Sequence, residues 1–363
     1  MRFKLLGRSG LRVSEAALGT MTFGEAWGWG ASREESRRIF DAYREVGGNF
    51  VDTACNYTDG ESESILGECI REERERLVVA TKYSLTARGD DPNAGGNSRK
   101  NMVQTLEGSL RRLGTDYVDL LWLHMWDAMT PVEEVVRALD DLVSSGKVLY
   151  VGISDTPSWV VSQAVTLADL RGWSRFVAVQ APYSLADRDV ERELLPMARS
   201  LELAFTAWGT LEGGALTGKY LGDTGEPRRH GAVGDRVNAI AREAIAVAEA
   251  IDATPAQVAI AWVRAQPWSA IPIVGARTEA QFRENLGALD VELPEEAVDR
   301  LSAATGFDLG FPRSFLESDN VRGLIFGETF DQIDATGIRT GRGSRRSSAS
   351  ERPRRDPGSM TDV

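Results

Sequence analysis

Short, nearly wholly apolar runs alternate with longer segments of helical spacing through the middle of the chain. Because the runs show little alternation of apolar and polar positions, they are typical of strands buried on both faces. The predicted strands are 16–19, 49–53, 77–81, 118–123, 148–154, 176–180, 203–208 and 269–275. Strands that alternate with helices predict a parallel sheet, and eight such strands are the number that closes a (β/α)8, or TIM, barrel.

Three segments lie outside this alternation. Residues 3–15 alternate around Gly-rich turn signals and predict an N-terminal hairpin at the bottom of the barrel. Residues 212–235 are rich in Gly, Pro and charge and predict an inserted loop near the strand ends. Residues 335–363 consist mainly of Arg, Ser, Gly and Pro, which cannot bury a core. We therefore predict one barrel domain over 1–334 and a disordered, dispensable tail over 335–363, although a tether for a polyanion is also compatible with its basic residues.

Charge and cysteine content narrow the class of protein. The chain of 363 residues has a formal net charge of −12, which disfavours a nucleic-acid surface. It contains only two cysteines, Cys55 and Cys69, so a disulfide framework is not expected and a reducing compartment is. No run reaches the ~20 apolar residues of a membrane helix, and the N-terminal apolar run is too short for a signal peptide. These features predict a cytoplasmic protein that binds neither nucleic acid nor membrane.

Four side chains of complementary chemistry stand at the ends of predicted strands two, three and four. They are Asp52, Tyr57, Lys82 and His124. In a parallel barrel these ends meet at one mouth, where barrel enzymes carry their catalytic groups. A free phenol titrates near pH ~10, so Tyr57 becomes a usable proton donor only if a nearby positive charge stabilises its phenolate. Lys82 is the candidate for that charge, with Asp52 holding the ammonium and His124 hydrogen-bonding the group that accepts the proton.

Each of the four residues also has an ordinary structural interpretation. Asp52 could cap the helix that follows, and Tyr57 could pack on the rim of the barrel. Lys82 could be a solvated strand end, and His124 a buried, hydrogen-bonded structural histidine. Their common position at three neighbouring strand ends favours the catalytic interpretation.

Around these residues the sequence resembles the aldo-keto reductases, over roughly residues 3–334. The resemblance rests on LGTMTFG at 18–24, LRRLGTDYVDLLWLH at 110–124, PVEEVVRALDDLVSSGKVLYVGIS at 131–154 and AWGTLEGGALTGKY at 207–220. It implies a TIM barrel and NADPH-dependent reduction of aldehydes or ketones. Tyr57 would then be the general acid, with Lys82 and Asp52 tuning and orienting it and His124 polarising the carbonyl.

The resemblance also implies an NADPH site along the mouth of the barrel. Ser154, Asp155 and Gln180 would contact the nicotinamide carboxamide, and Trp208 would stack on the ring. Gly209 and Thr210 depart from the family, which usually has Ser-Pro there. The full predicted cofactor set is Gly19, Thr20, Met21, Asp52, Ser154, Asp155, Gln180, Trp208, Gly209, Thr210, Leu211, Gly213, Gly218, Lys219, Arg229, Gly275, Ala276, Arg277, Gln281, Glu284 and Asn285.

Residues 275–285 (GARTEAQFREN) are the predicted phosphate end of that site. They follow a predicted strand and open a helix, whose N-terminus favours anions through its free N–H groups and dipole. Arg277 is the predicted contact for the 2′-phosphate that distinguishes NADPH from NADH. Glu279 and Glu284 are competing carboxylates, of which we expect Glu284 to lie nearer the adenine. A plain surface helix with Arg277 as a solvated charge is the alternative interpretation.

Aromatic residues cluster where a substrate would lie. Phe23, Trp27 and Trp29 follow the first strand, and Trp126 stands two residues beyond His124. They predict an apolar pocket for a small carbonyl compound, although packing between loops explains any one of them nearly as well. No metal site is predicted, because the His and carboxylate spacing it needs is absent.

A second class of function shares the same fold. The potassium-channel beta subunits resemble this chain in the strand-seven region and in the phosphate segment, and they bind NADPH while acting mainly on a membrane protein. A redox sensor with little turnover is therefore the alternative to an enzyme. Those relatives carry Asn where His124 stands, which favours the enzyme here. The sequence does not predict the oligomeric state.

Overall fold

A closed barrel of parallel strands forms the centre of the protein. The computed structural model describes residues 1–86, 88–222 and 233–333. Within them, strands β1 to β10 are Phe3–Leu5, Arg12–Ser14, Ala17–Gly19, Phe50–Asp52, Val78–Tyr83, Val118–Leu123, Val148–Ser154, Phe176–Pro182, Ala204–Trp208 and Ile271–Val274. The barrel order is β3 through β10 in sequence, and β10 closes on β3. The predicted (β/α)8 barrel is confirmed.

Helices surround the barrel and cover it with their apolar sides. Helices α1 to α12 are Arg33–Glu45, Glu61–Ile70, Arg99–Leu113, Val132–Ser144, Ser158–Arg171, Leu194–Ser200, Asp235–Ala250, Pro255–Ala265, Glu279–Leu286, Glu295–Ala304, Arg313–Leu316 and Asp319–Phe326. In α4, for example, Val132, Val135, Val136 and Leu139 are buried while Glu133 and Glu134 face away. This spacing of three and four residues is the helical pattern on which the prediction rested.

The N-terminal hairpin closes the bottom of the barrel, as predicted. Strands β1 and β2 pair antiparallel, with Phe3 opposite Ser14. Leu6 and Val13 are fully buried and belong to the same apolar cluster as Phe50 and Trp122 inside the barrel. The bottom is therefore filled by packing, and the opposite end holds the polar strand termini.

One predicted strand end differs from the structure in a way that matters for the site. Strand β5 continues to Tyr83, so Lys82 lies inside the strand rather than after it, where it pairs with Trp122 of β6. The sequence predicted that this strand ends at residue 81, because a charged residue follows the apolar run there. The lysine is nevertheless fully buried, because Asp52 on the neighbouring strand neutralises it.

Two predicted segments fall partly or wholly outside the described residues. Of the predicted loop 212–235, the structure shows a short helical turn at Glu212–Thr217 and the start of α7 at Asp235. Arg229 and the tail 335–363 lie outside the described residues. In the part of the chain that is described, no single helix has the length and apolar composition of a membrane span; α7 and α8 reach them only when taken together, across a bend of 96°.

Candidate active site

A fully buried lysine is the centre of the candidate site. Lys82 forms an ion pair with Asp52 at the end of β4. Its Nζ also donates to the carbonyl oxygen of Thr53 at 2.9 Å and to the phenol oxygen of Tyr57 at 3.1 Å. An ammonium has three hydrogens to donate, and three acceptors are present. The structure thus brings Asp52, Tyr57 and Lys82 into direct contact, as the sequence predicted.

A strained turn holds Tyr57 over this lysine. The turn Tyr57–Gly60 contains Thr58 at φ 46° and Asp59 at φ 56°, both in the left-handed region. This region is unusual for a β-branched residue such as Thr58 and costs on the order of 1–3 kcal/mol. The Thr58 hydroxyl donates to the Phe23 carbonyl at 2.6 Å and accepts from the Ser62 N–H at 3.0 Å. These bonds fix a conformation that the sequence did not reveal.

Burial and charge act against each other at Tyr57 and Lys82. Burial raises the pKa of Tyr57, and the Lys82 charge opposes it without cancelling it. The pKa of Tyr57 is therefore shifted upward, whereas the sequence predicted a downward shift caused by the Lys82 charge. That prediction took account of the charge but not of the burial. At Lys82 burial alone would lower the pKa, but Asp52 and Tyr57 outweigh it and raise the pKa. The lysine therefore keeps its proton beside the phenol.

His124 completes the group as a neutral ring. Its imidazole meets the Tyr57 ring edge-on, with centroids 6.1 Å apart and planes at 82°. Burial and then the Lys82 charge lower the pKa of His124 to about 3. Its Nδ1 is buried and has no hydrogen-bond partner among the described residues. A neutral imidazole nitrogen placed in this way can form a hydrogen bond with a bound molecule.

Ser84 and Asn97 hold the His124 loop in place, and neither was among the predicted site residues. The backbone N–H of His124 donates to Ser84 Oγ at 3.1 Å, and Ser84 has a φ of 115°. Asn97 Nδ2 donates to Ser84 Oγ at 3.0 Å and to the Met125 carbonyl at 2.8 Å. Ser84 could have been suspected from its place just after a strand, but nothing local to Asn97 indicates this role.

The residues predicted to meet the carboxamide lie together beside the lysine. Gln180 Nε2 donates to Asp52 Oδ1 at 3.1 Å, so one carboxylate links both sets. The Oγ of Ser154 is buried and has no hydrogen-bond partner among the described residues. Trp208 is 40% exposed, and its Nε1 donates to Asp155 Oδ1 at 3.2 Å. A flat ring could therefore stack on Trp208 within reach of the unpaired Ser154 hydroxyl.

The loop after β9 is built around glycines in left-handed conformations. Gly209 has a φ of 71°, and Gly213 and Gly218 have φ values of 59° and 87°. Thr210, which replaces the family's proline, is buried. Two other predicted cofactor residues flank the same turn. Leu211 precedes it and is half-buried, and Lys219 follows it. The Gly-Thr departure thus gives a glycine-dependent turn in place of a proline-stiffened one.

The first and last barrel strands approach each other closely at the cofactor-side glycines. A side chain on Gly275 would come within 3.2 Å of the Gly19 carbonyl oxygen. Thr20 is buried, with its hydroxyl on the Asp52 carbonyl at 3.2 Å. The Ala276 carbonyl accepts from the Thr22 hydroxyl at 2.6 Å. Met21 lies between these groups in the chain and is half-buried. Main-chain atoms rather than bulky side chains therefore form this edge of the mouth.

At the predicted phosphate end, the chain uses several of its own donors. The Arg277 N–H donates to Gln281 Oε1 at 3.3 Å. The Glu279 N–H donates to the carboxylate of Glu35 at 2.5 Å. The Glu279 carboxylate in turn accepts from Arg283 Nε at 2.8 Å. Farther along α9, Asn285 is buried and the Glu284 side chain is exposed. A carboxylate therefore already occupies part of the helix N-terminus expected to bind phosphate.

Of the four predicted pocket aromatics, three tryptophans are half-buried and one phenylalanine is fully buried. Trp27 and Trp29 lie with ring centroids 5.6 Å apart, and Trp27 Nε1 donates to Asp59 Oδ1 at 3.1 Å. Trp126 is partly buried and packs against the core. Phe23 is fully buried, because the bridge it forms with Ala31 turns it into the core. Phe23 thus presents no surface to a substrate, which corrects its place in the predicted pocket.

Comparisons with known proteins agree with this geometry. A profile of the aldo/keto reductase family matches residues 16–305. A norsolorinic acid reductase of Emericella nidulans is 37% identical over 318 residues, which cover 85% of this chain and 82% of the relative. An aryl-alcohol dehydrogenase of Pestalotiopsis microspora is 36% identical over 327 residues, covering 87% and 85%. The barrel, the sequence profile and these relatives together show that the chain belongs to the aldo/keto reductase family of oxidoreductases.

Proposed function

We propose that the protein reduces aldehyde or ketone carbonyls with NADPH and that Tyr57 donates the proton. One observation carries the proposal, namely that the fully buried Lys82 ammonium donates to Tyr57 Oη, to Asp52 and to the Thr53 carbonyl. Burying a charge is costly unless it is paired, and here the pairing directs one ammonium hydrogen at a phenol. That arrangement serves proton donation better than it serves stability.

Each residue has a defined task in this proposal. NADPH, when bound, supplies the hydride. Tyr57 Oη gives its proton to the carbonyl oxygen, and Lys82 stabilises the phenolate that remains. Asp52 holds the ammonium in place. His124 stays neutral at physiological pH, because its pKa is about 3, and its ring can hydrogen-bond the same carbonyl oxygen.

Features of the mouth fit a dinucleotide. Ser154 Oγ is a buried hydroxyl with no partner among the described residues, as the carboxamide contact requires. Trp208 presents an exposed face for stacking. The close approach of Gly275 to Gly19 leaves the backbone bare where phosphates would pass. In this proposal the barrel domain over 1–334 is the functional unit.

The paired, half-buried tryptophans after the first barrel strand favour an aromatic carbonyl substrate. Trp27 and Trp29 form a pair at the mouth, and Glu61 fixes their loop by accepting from the N–H groups of Glu25 at 2.7 Å and Ala26 at 3.1 Å. The relatives named for norsolorinic acid and aryl alcohols agree with this preference. Flat apolar rings also gain most from such a surface.

The test is NADPH consumption by the parent protein with a panel of aromatic and aliphatic aldehydes. We expect turnover with NADPH, higher kcat/KM for aromatic aldehydes, and weaker activity with NADH. Binding of NADPH without turnover on any member of the panel would favour the redox-sensor alternative. Absence of binding would contradict the proposal itself.

A further inference from the structure

Asp155 is a carboxylate fixed beside the nicotinamide end of the candidate site. It follows β7 at a φ of 39°, a left-handed conformation. Its N–H donates to the Gln180 carbonyl at 3.3 Å, and its own carbonyl accepts from the Trp126 N–H at 3.5 Å. Its Oδ1 accepts from Trp208 Nε1 at 3.2 Å. Backbone and side chain are thus both held, so the position of the carboxylate is well defined.

The charge of Asp155 is only partly compensated by the protein. Within the described residues its carboxylate forms no ion pair with a Lys or Arg, and the hydrogen bond it accepts from Trp208 comes from a neutral indole. Lys82 acts on it through its charge, but Asp52 already pairs with that lysine. Burial raises the pKa of Asp155, as expected for a carboxylate that loses solvent without gaining a full partner.

We propose that Asp155 sets the redox preference of the bound cofactor, because its carboxylate favours the cationic nicotinamide of NADP⁺ over the neutral nicotinamide of NADPH. The inference rests on the proposed function. Asp155 is bonded to the edge of the partly exposed Trp208 indole, so a nicotinamide ring stacked on that indole would come near the carboxylate. Opposite charges several ångströms apart attract appreciably at the effective dielectric near a protein surface.

The charge of Asp155 favours the reaction in the direction of carbonyl reduction. Tighter binding of NADP⁺ makes hydride donation from the enzyme-bound NADPH more favourable and slows release of the oxidised product. Partial exposure of Asp155 screens the attraction, so we expect about a tenfold effect on the ratio of dissociation constants. For a two-electron couple, tenfold corresponds to about 30 mV in the potential of the bound cofactor.

The experiment measures Kd for NADP⁺ and for NADPH by quenching of tryptophan fluorescence in the parent and in Asp155→Asn. Asparagine keeps the acceptor for Trp208 Nε1 and tolerates positive φ, so only the charge is removed. Asp59→Asn is the matched control, because Asp59 also has positive φ, at 56°, and accepts from an indole, Trp27 Nε1, at 3.1 Å. Asp59 is exposed and is not one of the residues predicted to contact the nicotinamide carboxamide.

We expect Asp155→Asn to raise the ratio of Kd for NADP⁺ to Kd for NADPH about tenfold and Asp59→Asn to leave it unchanged. An unchanged ratio in Asp155→Asn, with both cofactors bound, overturns the inference and leaves the proposed function standing. A parent that binds neither cofactor overturns the proposed function. If circular dichroism shows that Asp155→Asn is unfolded, Asp155→Gly suits the same φ and removes the same charge. The ratio must then rise in that variant, or the inference fails.

Discussion

The two ends of the predicted cofactor site are organised in opposite ways. At the predicted nicotinamide end, Ser154 Oγ and His124 Nδ1 are buried and form no hydrogen bond with another described residue. At the phosphate end, the chain satisfies its own donors, since Glu35 accepts from the Glu279 N–H and Gln281 accepts from the Arg277 N–H. In the proposed function, the cofactor and substrate would bond these atoms at the first end. The second must exchange internal bonds for ligand bonds, so affinity there depends on how readily the loop gives them up.

Removing the buried cation should have the largest effect. Lys82→Met leaves Asp52 buried without its partner, which typically costs about 3–5 kcal/mol of unfolding free energy. Turnover should fall as well, because Tyr57 loses the charge beside it. Urea unfolding and steady-state kinetics measure both effects. The double variant Lys82→Met with Asp52→Asn should regain stability but not turnover, and a double variant as unstable as the single one would contradict the pairing.

His124 should make the nicotinamide end sensitive to acid. Its pKa is lowered from 6.5 to about 3 in the folded protein, so the unfolded chain binds a proton that the folded chain does not between these pH values. Stability is therefore lost as the pH falls through this window, by up to roughly 5 kcal/mol. His124→Gln should flatten the dependence of unfolding free energy on pH between about 6.5 and 3.

The other histidine of the sequence, His230, provides the control for this measurement. It lies outside the described residues. If His124→Gln and His230→Gln gave the same pH dependence as the parent, the buried neutral imidazole would have to be abandoned.

At the phosphate end, Arg277 should control the choice between NADPH and NADH. A charge-assisted bond to the 2′-phosphate is worth about 1.5–3 kcal/mol, so Arg277→Ala should reduce the preference roughly 10- to 150-fold in kcat/KM. Glu35→Gln should instead improve NADPH binding, since it removes the carboxylate from the N-terminus of α9. A parent that prefers NADH, or unaltered preference in Arg277→Ala, would refute the assignment.

The smallest effect is expected outside both ends. Deleting residues 335–363 should leave melting temperature and kinetics nearly unchanged, because that segment has too few apolar residues to dock on the barrel. A fall of several degrees in Tm would show that the predicted tail packs on the barrel.

The sequence revealed the barrel because strands buried on both faces appear as short, nearly continuous apolar runs, and eight of these runs alternate with helical segments. It revealed Asp52, Tyr57, Lys82 and His124 because each stands at or near a strand end. The burial that raises the pKa of Tyr57 left no such local record, since it depends on the loops that cover the site.

Other features depend on contacts far apart in the chain, which spacing does not show. The bond from the Glu279 N–H to Glu35 joins residues 244 positions apart. The inward turn of Phe23 depends on its bridge to Ala31, and the left-handed Thr58 on the carbonyl of Phe23. The sequence therefore predicted that Asp52, Tyr57, Lys82 and His124 lie together, which the structure shows, but not the internal bonds at the predicted phosphate end.

The central claim, proton donation by Tyr57, is tested most directly by comparing Tyr57→Phe with Tyr117→Phe. Tyr117 precedes β6 at the opposite end of the barrel and stacks on Arg74, so it controls for loss of a phenol hydroxyl. NADPH affinity and single-turnover oxidation of NADPH by an aromatic aldehyde are measured in both. We expect Tyr57→Phe to bind NADPH nearly normally and to react about 10²- to 10⁴-fold more slowly, with Tyr117→Phe like the parent. A near-normal rate in Tyr57→Phe would contradict the account.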